Sequence, residues 1–332
     1  MLNIYPKCKF NFCEELNDLF CVEENSFNIP TNFFTYNNLL YIHHNILIDV
    51  DNKKRINLTF DIVNDCKKED ENSLIDMSYS KSILNECFLL TTPCHRNYYH
   101  FIMDLLPKIF MYREQKLNCD IYFERIDFVN FQKQFFDLLE FDYKKIKFIN
   151  DKTFINKLYV CSSSTGLVNN SEKIPYYPLL CMKNLLNKLL LEGKIIKKEL
   201  KNIYISRKNS YERKIINENE FYEFIKKYNF ELVELEKLNV LEQIELFYNA
   251  NIVIAPHGAG AVNLVFGGLI YIEIHDKNYI KHDSCFYQIC CMLNIKYNFI
   301  HSDVTGKAKN AHFDNFVFNN FDELDNLLKL FL

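Results

Sequence analysis

Three stretches of this 332-residue chain hold residue types at spacings that can do chemistry. The first is APHGAGAVNLVF, residues 255–266, where the β-prone run NIVIA ends at Pro256 and a glycine turn opens a predicted helix. Glycine lets a backbone approach a ligand closely, and a following helix aims free N–H groups and a positive dipole end at it. Gly258, Ala259 and Gly260 therefore suit a diphosphate, and His257 can add a donor to a phosphate oxygen. Asn263, also on the donor side, stands where the dinucleotide fingerprint has its third glycine, which counts against a nicotinamide cofactor and an oxidoreductase. A strand-to-helix glycine turn alone also serves plain packing.

The second stretch is YISRKNSYERK, residues 204–214, a predicted strand running into a basic loop with Arg207, Lys208 and Arg213. A guanidinium fixed at a strand end can clamp a phosphate pair with its planar fork. Basic loops are also ordinary solvated surface, a reading that fits Lys208 and Arg213 as well as function does. Glu236 and Glu273 follow or end strand-like runs, where a carboxylate can hold ribose hydroxyls or simply pair with a cation. The third stretch, HRNYYHFIMDLLPK (residues 95–108), puts His100 and Asp104 four apart on one face of a predicted helix. Such a pair can work as a general base and its orienter, although spacing alone favours a polar stripe facing solvent.

The elements that must position these residues fall into two alternating patterns. Residues 1–82 are β-prone and rich in charged turns. From Cys87 strands and helices alternate, which predicts a layered α/β domain over residues 1–170, with a helix that kinks or restarts at Pro107. A second, cleaner alternation over residues 171–310 predicts a Rossmann-like domain with its ligand at the carboxyl ends of the strands. Residues 311–332 predict an amphipathic helix able to pack back on the first domain. Two compact domains with no low-complexity linker place the ligand cleft between them.

Composition excludes several classes. A net charge of −4 argues against nucleic-acid binding, and no apolar run reaches the length of a membrane helix. The start MLNIYPKCKFNF carries no secretory pattern, and the 12 cysteines contain no C-x-x-C pair. Free thiols in a reducing, cytoplasmic compartment are the expectation.

In this order, NYYHFIMDLLPKIF, NIYISRKNSYERKIINENEF, ELEKLNVLEQIELFYNANIVIAPHGAGAVNLVF and LIYIEI resemble glycosyltransferase family 61. That family includes extracellular O-GlcNAc transferase, the O-mannose β-1,4-N-acetylglucosaminyltransferase, plant xylan side-chain transferases, and bacterial and viral capsular polysaccharide homologues. The resemblance implies an inverting GT-B enzyme, two Rossmann-like domains facing a central cleft, with a UDP-sugar donor and a glycan or glycoconjugate hydroxyl as acceptor. It implies that Arg207 and the turn at His257–Gly260 contact the donor diphosphate, and that His100 and Asp104 face the cleft. Asp104 is then assigned as base, with His100 as orienter or as the base itself. No cofactor is expected, because positive groups and a helix dipole can replace a metal. The D-x-D at Asp49 and Asp51 lies outside the resembling segments. Two competing functions are a catalytically inactive nucleotide-sugar-binding module and a transferase using another activated sugar, such as a CMP-linked acid.

Overall fold

The described β-prone runs of the first half become one mixed sheet in the computed structural model, while the run expected at 57–63 lies outside the described residues. The structure describes residues 33–41, 47–52, 54–56, 82–90, 92, 94–124, 126–161, 166–168, 171–276, 284–304 and 314–332. These divide into two compact units, one ending at Cys181 and the other running from Met182 to Leu332. The division falls inside a helix, Tyr177–Leu191, that ends just before Gly193, whose φ of 67° a side chain would resist.

In the first unit, β1 (Phe33–Tyr41), β2 (Leu47–Asp49) and β3 (Lys54–Ile56) form an antiparallel meander. Strands β4 (Ser82–Leu90), β5 (Asp120–Phe123), β6 (Lys147–Phe148) and β7 (Thr153–Cys161) run parallel, and β1 joins them antiparallel to β7. The order is β3-β2-β1-β7-β4-β5-β6. Alternation sends Leu39, Tyr41, Cys87, Leu89, Leu158 and Val160 into a common core. Asp49 and Asp51 close the β2–β3 turn: Asp49 accepts from the backbone and side-chain amides of Asn52 at 3.0 and 2.8 Å, and Asp51 from Asn38 at 2.9 Å.

Between β4 and β5 lies a composite helix, α1, made of Tyr98–His100, a π-helical turn at Phe101–Leu105, and α-helix Leu106–Glu114. Asn97 caps it by accepting from the N–H groups of Tyr99 and His100 at 2.9 and 3.4 Å. The expected kink at Pro107 takes the form of that π turn. Proline has no N–H for the carbonyl four residues back, and the ladder widens just ahead of it, with Leu106 N–H donating to Phe101. Helix α2 (Asn130–Leu138) packs Phe135 and Phe136 against Phe101.

A separate two-stranded ribbon, β8 (Gly166–Val168) and β9 (Ser171–Lys173), pairs antiparallel. The second unit holds β10 (Lys201–Ile205), β11 (Phe230–Val233), β12 (Ala250–Pro256), β13 (Ile270–Asp276) and β14 (Lys296–Val304), all parallel. A short edge strand, β15 (Phe316–Val317), adds antiparallel to β14. The order β11-β10-β12-β13-β14-β15 reverses direction between β10 and β12. In a doubly wound sheet that reversal leaves a crevice at the strands' carboxyl ends. One face of the sheet (Tyr204, Ile254, Ile272, Ile274) packs against helices Glu218–Lys226 and Phe321–Phe331. The carboxyl-terminal helix contributes Leu324 and Leu328 to this second core. The opposite face carries Tyr271, Glu273 and His275 beneath helix Cys285–Leu293.

Candidate functional site

At the reversal, Ser206 and Arg207 leave β10 while His257 and Gly258 leave β12. The end of β10 is pinned to the next helix, because Tyr204 and Ser206 both donate their hydroxyls to Glu218 at 2.7 Å. Arg207 then turns back into its own loop: Nη2 donates to Ser210 Oγ at 2.9 Å and to the Glu212 carbonyl at 3.2 Å. Its other terminal nitrogen lies against Gly258, where an added Cβ would sit 1.9 Å from Nη1. The missing side chain of Gly258, expected to let a phosphate approach, also makes room for Arg207, so the basic loop and the glycine turn meet directly.

Arg213 stands beside Arg207, with its backbone at φ 58°. Burial, then the charge of Arg213, brings the Arg207 guanidinium down to about 10. Both Nε atoms are buried without hydrogen bonds, and among the described residues neither guanidinium has a carboxylate in ion-pair range. Two partly buried cations side by side are an arrangement that an anion completes.

Ala259–Phe266, expected as an α-helix, is wound as a 3₁₀-helix whose first bond runs from Ala261 N–H to Gly258 at 3.0 Å. The amides of Ala259 and Gly260 precede that bond at the head of the helix. Asn263, expected on the donor side, is fully buried and donates to Gln243 at 2.9 Å and to the Gly260 carbonyl at 3.2 Å, which holds the tight winding. A Cβ on Gly260 would meet Leu235 Cδ1 at 2.7 Å, so this glycine serves packing. Lys208 and Glu236 belong to an exposed network. Lys208 pairs with Glu234 at 2.7 Å, and Asn209 donates to Glu236 at 2.7 Å and to Glu234 at 2.9 Å.

Glu273, expected to hold ribose hydroxyls or to pair with a cation, is 1% exposed with both oxygens engaged: Oε1 meets His257 Nδ1 at 2.6 Å, and Oε2 accepts from Tyr297 at 2.7 Å with His275 Nε2 at 3.1 Å. Burial alone would raise this carboxyl, but His275 and His257 outweigh it and bring it to about 2. Two imidazoles and a carboxylate within 4.8 Å are also a donor set a divalent cation accepts. However, two ligands on one tetrahedral zinc, each at about 2.0–2.1 Å, lie about 3.4 Å apart. The 2.6 Å between His257 and Glu273 is the spacing of a donor and an acceptor sharing a proton. His275 and Tyr297 were not singled out from sequence, although E-I-H within a strand puts Glu273 and His275 on one face.

In the first unit the His100–Asp104 pair forms, with Nδ1 and Oδ2 2.8 Å apart. The polar stripe expected from spacing alone is not solvated, since Asp104 is 3% exposed at its side chain and His100 22%. One turn further along, Lys108 is fully buried, and burial lowers its pKa against the opposing influence of Cys161 and Asp104. Among the described cysteines Cys87, Cys161, Cys181, Cys285, Cys290 and Cys291 are buried as thiols. No helix of the described residues is long and apolar enough to cross a membrane.

A doubly wound α/β unit whose loops meet at the reversal of strand order has the architecture of a ligand-binding domain. The family model described as Glycosyltransferase 61 matches residues 98–271, more than half of the chain, from the start of α1 into β13. The chain belongs to glycosyltransferase family 61, so it is a glycosyltransferase acting between a donor and an acceptor substrate. Among curated proteins, none matches it.

Proposed function

We propose that the chain is an inverting glycosyltransferase that moves a hexosyl or pentosyl group from a UDP-sugar to a hydroxyl of a glycan or glycoconjugate, as in capsular polysaccharide synthesis. The observation that carries it is the contact between Arg207 and Gly258, which joins two motifs at the sheet reversal and leaves a pair of arginines for a diphosphate. The acceptor oxygen attacks the anomeric carbon, the bond from that carbon to the diphosphate oxygen breaks, and the departing electron pair becomes charge on UDP. Arg207, Arg213, His257 and the amides of Ala259 and Gly260 are proposed to meet that charge, with no metal required.

A GT-B arrangement, with the first unit supplying the acceptor side, is proposed with it. The base is proposed to be His100. Burial of Asp104 beneath it makes the carboxylate the orienter and the half-buried imidazole the group that meets an acceptor hydroxyl. The buried thiols suit a reducing, cytoplasmic compartment.

Calorimetry with UDP on wild type and Arg207→Ala tests the donor site. A charge-assisted phosphate contact of about 1.5–3 kcal/mol corresponds to a loss of roughly ten- to a hundred-fold in affinity. Equal affinity in the two proteins removes Arg207 from the site and leaves the donor reading without its main support.

A further inference from the structure

Glu273 does something a sheet core does not require. Its neighbours on β13 that point to the other face are Ile272 and Ile274, and an aliphatic residue at 273 would bury at no electrostatic cost. Instead the strand buries a carboxylate, and one of its two oxygens goes to the histidine that opens the glycine turn. That histidine is fixed from its backbone as well, because His257 N–H donates to the Ile274 carbonyl at 3.1 Å. The ring is walled by Phe286 and His275, at centroid distances of 5.1 and 5.3 Å.

We infer that Glu273 is a positioning residue that holds His257 as an imidazolium beside the arginine pair, making donor-diphosphate binding proton-linked. This inference rests on the donor site proposed above and adds its regulation by pH. A carboxylate 2.6 Å from Nδ1 forms a charge-assisted bond that favours the doubly protonated ring. With Nδ1 committed to Glu273, the imidazolium carries a second N–H, at Nε2, and a full positive charge. Gly258 follows His257 directly and touches the Arg207 guanidinium, so this charge adjoins the cations at the sheet reversal.

The other titratable and charged groups around the ring act in both directions. His275 on β13 competes for the same carboxylate, at 3.1 Å from Oε2. Tyr297 on β14 stabilises the carboxylate with its hydroxyl. Tyr271 lies near Glu273 and Arg207 and is held neutral by burial, as is Cys290 on the covering helix, while Cys285 of that helix also lies near Tyr271. Arg207 and Arg213, on the β10 side, repel a proton on His257. A bound diphosphate removes that repulsion, and by linkage the protein takes up a proton as the anion binds.

The test is the pH dependence of UDP affinity between pH 6 and 9, for wild type, His257→Asn and Glu273→Gln. The ionisation of the UDP phosphate is common to all three and cancels in the comparison. Wild-type affinity should fall with rising pH by up to about tenfold per unit beyond that common slope. Both variants should lose the excess, and proton uptake, read from calorimetry in buffers of different ionisation enthalpy, should vanish with it. Should Glu273→Gln fail to fold, the histidine ring protons of the wild-type protein decide by NMR titration. UDP should raise the pKa of one histidine, the resonance that His257→Asn removes. UDP binding with the same pH profile in wild type and variants, or a His257 that stays neutral at pH 6–8 with UDP bound, overturns the inference while leaving the donor site standing. No UDP binding by wild type at any pH from 6 to 9 overturns the donor site itself, and the inference with it.

Discussion

Arg207 shows how much a single side chain organises here. It is clamped from one side by Ser210 and the Glu212 carbonyl, and on the other it rests on a residue that must have no Cβ. Gly258 is therefore a specificity of shape for a guanidinium. Its backbone is extended, with φ 169° and ψ 160°, so alanine costs nothing in conformation and everything in space. Gly258→Ala should keep the thermal unfolding midpoint within a few degrees of wild type, because the clashing atoms are the end of a flexible side chain. Its UDP affinity should fall roughly ten-fold or more as Arg207 leaves its position, approaching the loss in Arg207→Ala. A double variant no weaker than either single one would show that the two substitutions remove the same contact.

At the level of elements, two departures from regular helix geometry set the candidate chemistry. The π turn at Phe101–Leu105 separates His100 from the rest of α1 yet keeps Nδ1 in contact with Asp104. If His100 is the base, His100→Ala should lower turnover about a hundred-fold to ten-thousand-fold while UDP affinity is unchanged. Asp104→Asn should keep UDP affinity too and fall less steeply, as an orienter does. Variants that turn over donor and acceptor within a factor of a few of wild type would make the pair structural. The other departure is the 3₁₀-helix after Gly258, which ends at Gly267 packed on the helix Val240–Tyr248. A Cβ there would lie 2.5 Å from the Phe247 carbonyl oxygen, and rigid backbone cannot yield as Leu235 can beside Gly260. Gly267→Ala should therefore destabilise the protein by about 1–3 kcal/mol in urea unfolding, and Gly260→Ala by less.

For the whole molecule, the buried carboxylate of Glu273 sets a limit on acid stability. Its folded pKa of about 2 lies below its ordinary 4.5, so the stability it contributes is complete above about pH 4.5. That contribution is lost as pH falls from there toward 2, because the unfolded chain binds the proton first. Urea midpoints measured at pH 7, 5, 4 and 3 should show the second unit weakening below pH 4.5, and Glu273→Gln should flatten that part of the curve. Exposed pairs such as Lys208–Glu234 are screened by solvent and salt and should contribute little to it. The same variant thus reports twice, once through stability in acid and once through ligand affinity near neutrality.

The sequence by itself determined the alternation of strands and helices, the family, and the residues at which two strands of one sheet end. Those follow from local rules: continuous apolar runs in NIVIAP and NIYIS, a 3.6-residue period in VLEQIELFYNA, and glycine and asparagine at the turns. It also paired His100 with Asp104, since a spacing of four on a helix is a contact in any fold. What local rules cannot supply is the partner of a side chain across the sheet. Gly258 and Arg207 are 51 positions apart, and only the parallel pairing of β10 with β12 brings them together. Glu273 reads as a strand-end carboxylate along the chain, but β13 runs on to Asp276 and lies between β12 and β14, which leaves Glu273 inside the sheet and turns it to His257 and Tyr297. Asn263 looked like a ligand contact until the helix over it, with Gln243, closed it off from solvent. Burial and register are properties of the assembled sheet. They decided which polar residues of the motifs stay open to solvent and which are buried against their neighbours.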